Sequence, residues 1–372
     1  VPIVPDEART FGMEGMFRQL GIYSSQGQRY TPHDSDQIMY YKEDKSGQIL
    51  EEGINEAGAF SAWLAAATSY SNHGLPMVPF YIFYSMFGFQ RIMDLAWAAG
   101  DSQARGFLMG ATAGRTTLNG EGLQHQDGHS HLMANMIPNC LSYDPTYAHE
   151  LTVIIQDGMK RMYQDKENVF YYITLMNENY GHPEIPKGCE EGIVRGLYLL
   201  NESGQKKPKH RVQLMGSGTI LREVEAAAEL LADYGVAADV WSATSINQLQ
   251  RDGANCERFN LMHPDEEARV PYVSKMLDGR DGPVICATDY IKSYGEQIRP
   301  YINKRFVVLG TDGFGRSDTR SKLRHHFEVD RSFVALAALK ALADEGEIER
   351  SVVSKAIQKL GINPDKPNPL YA

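Results

Sequence analysis

The sequence predicts an α/β protein of two domains. Strand-sized apolar runs alternate with helical patterns along the chain, and in the second half they are short enough to suit a mainly parallel sheet. The chain has 372 residues, which is long for a single core. A polar stretch near residues 186–210 separates two halves whose patterns restart independently.

In order along the chain, Val1–Pro5 reads as an extended linker, because Pro2 and Pro5 leave little room for a paired strand. Residues 55–70 read as a helix, since Ala57, Ala59, Phe60, Trp63 and Leu64 are the small and apolar residues of a buried one. Pro76 and Pro79 punctuate the chain before an aromatic segment at 80–89, and residues 91–99 continue as helix with Gly100 near its end. Phe107-Leu108-Met109 is a strand, residues 110–131 a long polar loop, and 169–175 a buried strand. The second half gives strands at 212–215, 240–242, 284–287 and 306–309. Its helices fall at 220–233, around 290–298, at 332–344 and at 348–360. The expected domains are 1–185 and 211–372, joined by a linker at 186–210 that holds at most a short strand.

Composition excludes several classes. A formal charge of -10 argues against a nucleic-acid binder, whose phosphate partner calls for a concentrated basic surface. Cys140, Cys189, Cys256 and Cys286 are far apart with no Cys-x-x-Cys pair, so reduced structural cysteines are expected rather than a zinc site or disulfide framework. The apolar stretches are too short or too interrupted to span a bilayer, and the default expectation is a cytoplasmic protein. Val1 in place of an initiator Met fits either a processed product or a fragment.

Two features carry candidate chemistry. The loop from Thr116 to His131 holds His125, His129 and His131 with Glu121 and Asp127 nearby. Metal ligation, substrate contact by imidazoles and local loop ordering all remain open, because the spacing matches no ligand signature. Glu56 opens the buried helix, where capping alone accounts for a carboxylate, yet enclosure by the aromatics of 80–89 would let it share a proton with a ligand. Two glycine segments, Gly216-Ser217-Gly218 and Thr311–Ser317, each follow a strand. Neither completes a dinucleotide fingerprint or a P-loop, so both read as tight turns.

Longer motifs carry a resemblance. The segments 5–14, 52–58, 114–131, 310–318 and Arg324-His325-His326-Phe327-Glu328 closely resemble the homodimeric bacterial pyruvate dehydrogenase component of the pyruvate dehydrogenase complex. The resemblance covers essentially the whole chain. It implies a transketolase-like pyrimidine-binding domain followed by a transketolase C-terminal-like α/β domain. It also implies thiamine diphosphate as cofactor, with Mg2+ bound mainly through an N-terminal domain whose motif is not found here; no metal ligands are assigned in this chain.

The resemblance assigns roles residue by residue. Glu56 matches the glutamate that contacts N1′ of the aminopyrimidine and promotes activation of the thiazolium carbon. Phe87 matches the aromatic that stacks on the pyrimidine, and Ile54 the bulky side chain supporting the bent cofactor. Tyr84 and His125 correspond to the substrate side, Glu7 to the entrance segment, and Glu121 to a partner of the histidine loop. The implied reaction decarboxylates pyruvate and reductively acetylates the lipoyl domain of dihydrolipoamide acetyltransferase. The implied assembly is a homodimer without nucleic acid or membrane, and this chain alone is expected to be incomplete. The competing readings are a transketolase, a 2-oxoglutarate dehydrogenase component, and a noncatalytic dimerisation or scaffolding fragment.

Overall fold

The computed structural model describes the chain except for residues 6, 7, 9, 34, 36–40, 119–121, 206 and 207. Thirteen strands are described. In the first half they are β1 (Pro2–Val4), β2 (Ile22–Tyr23), β3 (Glu43–Asp44), β4 (Leu50–Glu51), β5 (Phe80–Phe83), β6 (Phe107–Gly110), β7 (Cys140–Tyr143) and β8 (Phe170–Thr174). The second half supplies β9 (Tyr198–Asn201), β10 (His210–Gly216), β11 (Val236–Ser242), β12 (Val284–Ala287) and β13 (Phe306–Leu309). The chain divides by packing into two compact units, and they do not follow a single cut along the sequence. The first comprises Val1–Ala113, Met133–Leu141 and Asp157–Asn177; the second comprises Gly114–Leu132, Ser142–Gln156 and Glu178–Ala372.

The six-stranded sheet has the order β4-β1-β5-β6-β8-β7, and β2 pairs with β3 separately. Its pairs β1–β4, β1–β5, β5–β6 and β6–β8 are parallel. Every residue of β6 and β8 is buried, as expected for parallel strands covered on both faces. The helix Glu56–Ala67 packs on β5, β1 and the helix Gly88–Asp101. It buries Ala59, Phe60, Trp63, Ala66 and Ala67, and Trp63 Nε1 donates to the Phe107 carbonyl at 3.2 Å. A buried aromatic of this kind contributes roughly 1.5–3 kcal/mol.

The expected linker at Val1–Pro5 contains a strand instead. Ile3 and Val4 are fully buried, and Ile3 pairs with both Leu50 and Tyr81. Pro2 is tolerated because it is the first strand residue, where a missing N–H costs least. The helix expected at 91–99 begins earlier, at Gly88, and runs through Gly100 to Asp101. The stretch expected as one long loop at 110–131 contains a one-turn 3-10 helix, Leu123–His125, and the start of the helix Ser130–Asn135.

The second unit holds a five-stranded sheet, β13-β12-β10-β11-β9. Its pairs are parallel except β11–β9. One core cluster joins Leu214, Ile220, Val224, Val334 and Leu339; another joins Met215, Trp241, Leu249, Tyr290 and Tyr294. Residues 186–210, expected as a linker, include the helix Glu190–Arg195 as well as β9. Tyr198 anchors that strand by donating to the buried carboxylate of Glu150 at 2.7 Å. All four cysteines are free and buried. No helix among the described residues is long and apolar enough to cross a membrane.

Candidate active site

Ligands of open parallel sheets gather beyond the carboxyl ends of the strands. In the first unit the segments leaving β4 and β5 occupy such positions. Leaving β4, the chain reaches Asn55, whose side chain caps the next helix by accepting from the Gly58 N–H at 3.1 Å. Glu56 is the first residue of that helix, where the backbone dipole favours a negative charge. Its side chain is 17% exposed, and Oε1 accepts from Arg91 Nη1 at 2.5 Å. Ile54, beside it, is 65% exposed, an unusual setting for a large branched side chain.

Leaving β5, the carbonyl of Tyr84 accepts from the N–H groups of Phe87 and Gly88 at 3.0 and 3.1 Å, turning strand into helix. This turn needs glycine at 88: a Cβ there would meet the Phe83 ring at 1.9 Å. Phe87 caps the helix, and one turn later Arg91 places its guanidinium carbon 4.2 Å from the centre of the Phe87 ring. Arg91 therefore joins Glu56 to Phe87. Tyr84 is buried, with its ring between Phe11 at 5.3 Å and Phe87 at 6.1 Å. Glu56, Phe87, Tyr84 and Ile54, each singled out in the sequence, thus belong to one unit. Arg91 was missed, because its pairing with a residue 35 positions earlier leaves no local signal.

His125 belongs to the second unit and ends the 3-10 turn Leu123–His125, half buried. Its Nδ1 lies 3.3 Å from the Gly122 carbonyl, which only accepts. That contact requires a proton on Nδ1, so a neutral ring carries its lone pair on Nε2. Glu7 and Glu121, also singled out in the sequence, lie outside the described residues.

The rest of the polar loop is ordered by side chains that the sequence does not single out. Asp289 is fully buried and accepts from Thr116 N and Oγ1 at 2.9 and 2.7 Å and from Thr117 Oγ1 at 2.7 Å. Burial raises the Asp289 pKa, and the threonine hydrogen bonds only partly oppose this. Asp127 caps the following helix by accepting from His129 N and Ser130 N at 2.9 and 3.0 Å. Among the described residues no group of three or more His, Cys, Asp and Glu side chains could hold a metal.

Comparison with known proteins gives this arrangement its family. Residues 1–183 match the family described as pyruvate dehydrogenase E1 component middle domain, and residues 196–330 the transketolase-like C-terminal domain. A pyruvate dehydrogenase E1 component from Pseudomonas aeruginosa is 67% identical over 372 residues. The chain belongs to the pyruvate dehydrogenase E1 component family. An E1 component from Escherichia coli K12 is 62% identical over 375 residues. In both cases the match covers 100% of this chain and 42% of the relative, so the chain spans less than half the length of these E1 components.

Solved structures agree on the fold. Transketolase from Leishmania mexicana superposes with a TM-score of 0.62 at 15% identity, covering 92% of this chain and 42% of that one. A split gene transketolase, described as an inactive beta4 tetramer, gives a TM-score of 0.57 at 15% identity, covering 92% of this chain and 99% of that one. These likenesses support the α/β, transketolase-like architecture of the E1 family chain.

Proposed function

We propose that this chain supplies the aminopyrimidine-binding part of a pyruvate dehydrogenase E1 component, which oxidatively decarboxylates pyruvate with thiamine diphosphate. The observation that carries the reading is the Glu56 carboxylate, set at a helix N-terminus beside Phe87 and the exposed Ile54. The described residues give Oε1 a partner in Arg91 and Oε2 none, so one oxygen is left to receive a ring N–H. Phe87 offers a flat face and Ile54 a bulky apolar support, which suits a heteroaromatic ring. The cofactor, when bound, would supply the carbon nucleophile and electron sink for decarboxylation.

The chain's own groups do the rest. Glu56 holds or shares the proton at the pyrimidine N1′ position, and Arg91 keeps that carboxylate in place. Tyr84 and His125 orient pyruvate and stabilise charge developing on its oxygens. The domain boundaries proposed are 1–185 for the pyrimidine-binding domain and 211–372 for the C-terminal domain. Magnesium and the diphosphate fall to protein beyond these residues, and the working assembly is a cytoplasmic homodimer. Its acetyl acceptor is the lipoyl domain of the acetyltransferase. Alone, the chain is an incomplete enzyme, in keeping with the split gene transketolase chain of similar extent, whose tetramer is described as inactive.

Calorimetry with thiamine diphosphate and magnesium, paired with pyruvate turnover, tests this on the full-length polypeptide, its Glu56→Gln variant and this chain alone. Turnover by Glu56→Gln should fall on the order of 10²–10⁴-fold, the usual contribution of a positioned acid or base, with circular dichroism unchanged. The isolated chain should show little or no binding. Wild-type turnover by Glu56→Gln would remove the assignment of Glu56, and full activity of the isolated chain would remove the claim of incompleteness.

A further inference from the structure

The segment carrying His125 lies within the middle-domain match at residues 1–183, yet it packs with the unit built from the C-terminal domain. Its fastenings come from residues 289–320. Arg115 Nη1 donates to the carbonyls of Thr311, at 2.8 Å, and Gly313. Arg320 Nε donates to the Thr117 carbonyl at 2.6 Å, and the Ile291 N–H donates to the Gly128 carbonyl at 2.8 Å. Asp289 holds Thr116 and Thr117 through the hydrogen bonds given for the polar loop.

Gln126, adjacent to His125 and 1% exposed, makes the contact nearest the imidazole. Its Oε1 accepts from the Arg316 N–H at 2.7 Å, while Nε2 donates to the carbonyls of Arg316 and Leu118 at 2.7 and 3.0 Å. Both ends of the amide are therefore committed, and they tie the 3-10 turn of His125 to the turn after β13. The approach is close: a Cβ on Gly315 would lie 2.5 Å from the Leu123 carbonyl and 2.7 Å from Gln126 Oε1.

We infer that the C-terminal domain serves the reaction by presenting His125, with Gln126 as the positioning residue clasped by the turn 310–316. This rests on the reading of His125 as a substrate-side group. The C-terminal domain then has a defined task, which is to fix the height and tilt of one imidazole. A purely structural loop would need anchoring too, but its anchors would act on turnover independently of His125.

The test is a double-mutant analysis in the full-length polypeptide with thiamine diphosphate and magnesium. Gln126→Ala removes the clasp from one side, and Gly315→Ala crowds it from the other with Gln126 intact. Each should lower kcat for pyruvate by up to about 100-fold, the scale of a misplaced reacting group, and leave cofactor affinity within about twofold. In a His125→Ala background neither should lower kcat further, because the group they position is gone. If His125→Ala leaves turnover unchanged, the reading of the site itself fails. If His125→Ala is impaired but Gln126→Ala and Gly315→Ala multiply with it, the positioning role is overturned. Should Gln126→Ala not fold, Gly315→Ala decides alone: wild-type kcat, or multiplication with His125→Ala, overturns the inference.

Discussion

With its ring fully enclosed beside Tyr290 and Tyr294, His131 is kept neutral, its pKa lowered to about 4 by burial against an opposing pull from Asp127. Nε2 lies 4.0 Å from Asp144, but burial decides the protonation state and the pair is not an ion pair near neutral pH. His131 is therefore a core histidine, hydrogen-bonded to Ser142 at 3.2 Å, while half-buried His125 keeps ordinary access to solvent. The pH consequence has a definite sign. A histidine whose folded pKa is depressed contributes stability present above its unfolded value, near 6.5, and lost as pH falls toward 4. The loss should amount to roughly 3 kcal/mol at most. Thermal unfolding of wild type and His131→Gln between pH 7 and 4 should show a shallower fall in Tm for the variant. Parallel curves would mean that His131 is protonated without cost.

The turn from β5 into the helix Gly88–Asp101 sets both Tyr84 and Phe87, so crowding it tests whether an element is rigid enough to act as a mount. Gly88→Ala would drive a Cβ to 1.9 Å from the Phe83 ring, and overpacking of this kind costs about 1–3 kcal/mol. Lower stability should accompany weaker thiamine diphosphate binding by the full-length polypeptide; unchanged stability and affinity would show that the turn relaxes freely. Elements of this sort differ in how plainly a sequence declares them. β8, Phe170-Tyr171-Tyr172-Ile173-Thr174, reads as a buried strand because all its residues suit burial on both faces. The helix Ile246–Met262 escaped notice because most of it is polar. Only Ile246, Leu249, Gly253 and Cys256 on its buried face, with one polar neighbour, Asn247, mark the helical period. Glu56 was legible as a helix start. Arg91 and Gln126 were not, since their partners sit 35 and 190 residues away and only the fold brings them together.

Across the second unit, distant segments are held by two carboxylates shared among four guanidiniums. Glu178 meets Arg222 at 2.9 Å, Arg320 at 3.8 Å and Arg324; Glu223 meets Arg324 at 3.4 Å and Arg331 at 2.9 Å. Arg324 alone touches both acids, and its side chain is 5% exposed, whereas that of Arg331 is 52% exposed. Removing one partner of a buried pair strands the other, so Arg324→Met should cost about 3 kcal/mol or more. Arg331→Met should cost at most about 1 kcal/mol, because water screens its interaction. Burial pushes the pKa of both acids up, but Arg324 on Glu178 and Arg331 on Glu223, with their neighbours, more than offset it, and both lie below the ordinary glutamate value of 4.5. Stability from such groups is present above the unfolded pKa and is lost as pH falls through the folded value. The penalty of Arg324→Met should therefore be full at pH 7 and shrink once pH drops below about 4.5, where both acids begin to protonate. His131 loses its contribution over the higher range from 6.5 toward 4, so the two effects separate along the pH axis. Urea unfolding of both variants at pH 7 and pH 4 gives the comparison. Equal penalties for Arg324→Met and Arg331→Met, or a penalty that grows on acidification, would show that the shared arginine does not hold these segments together.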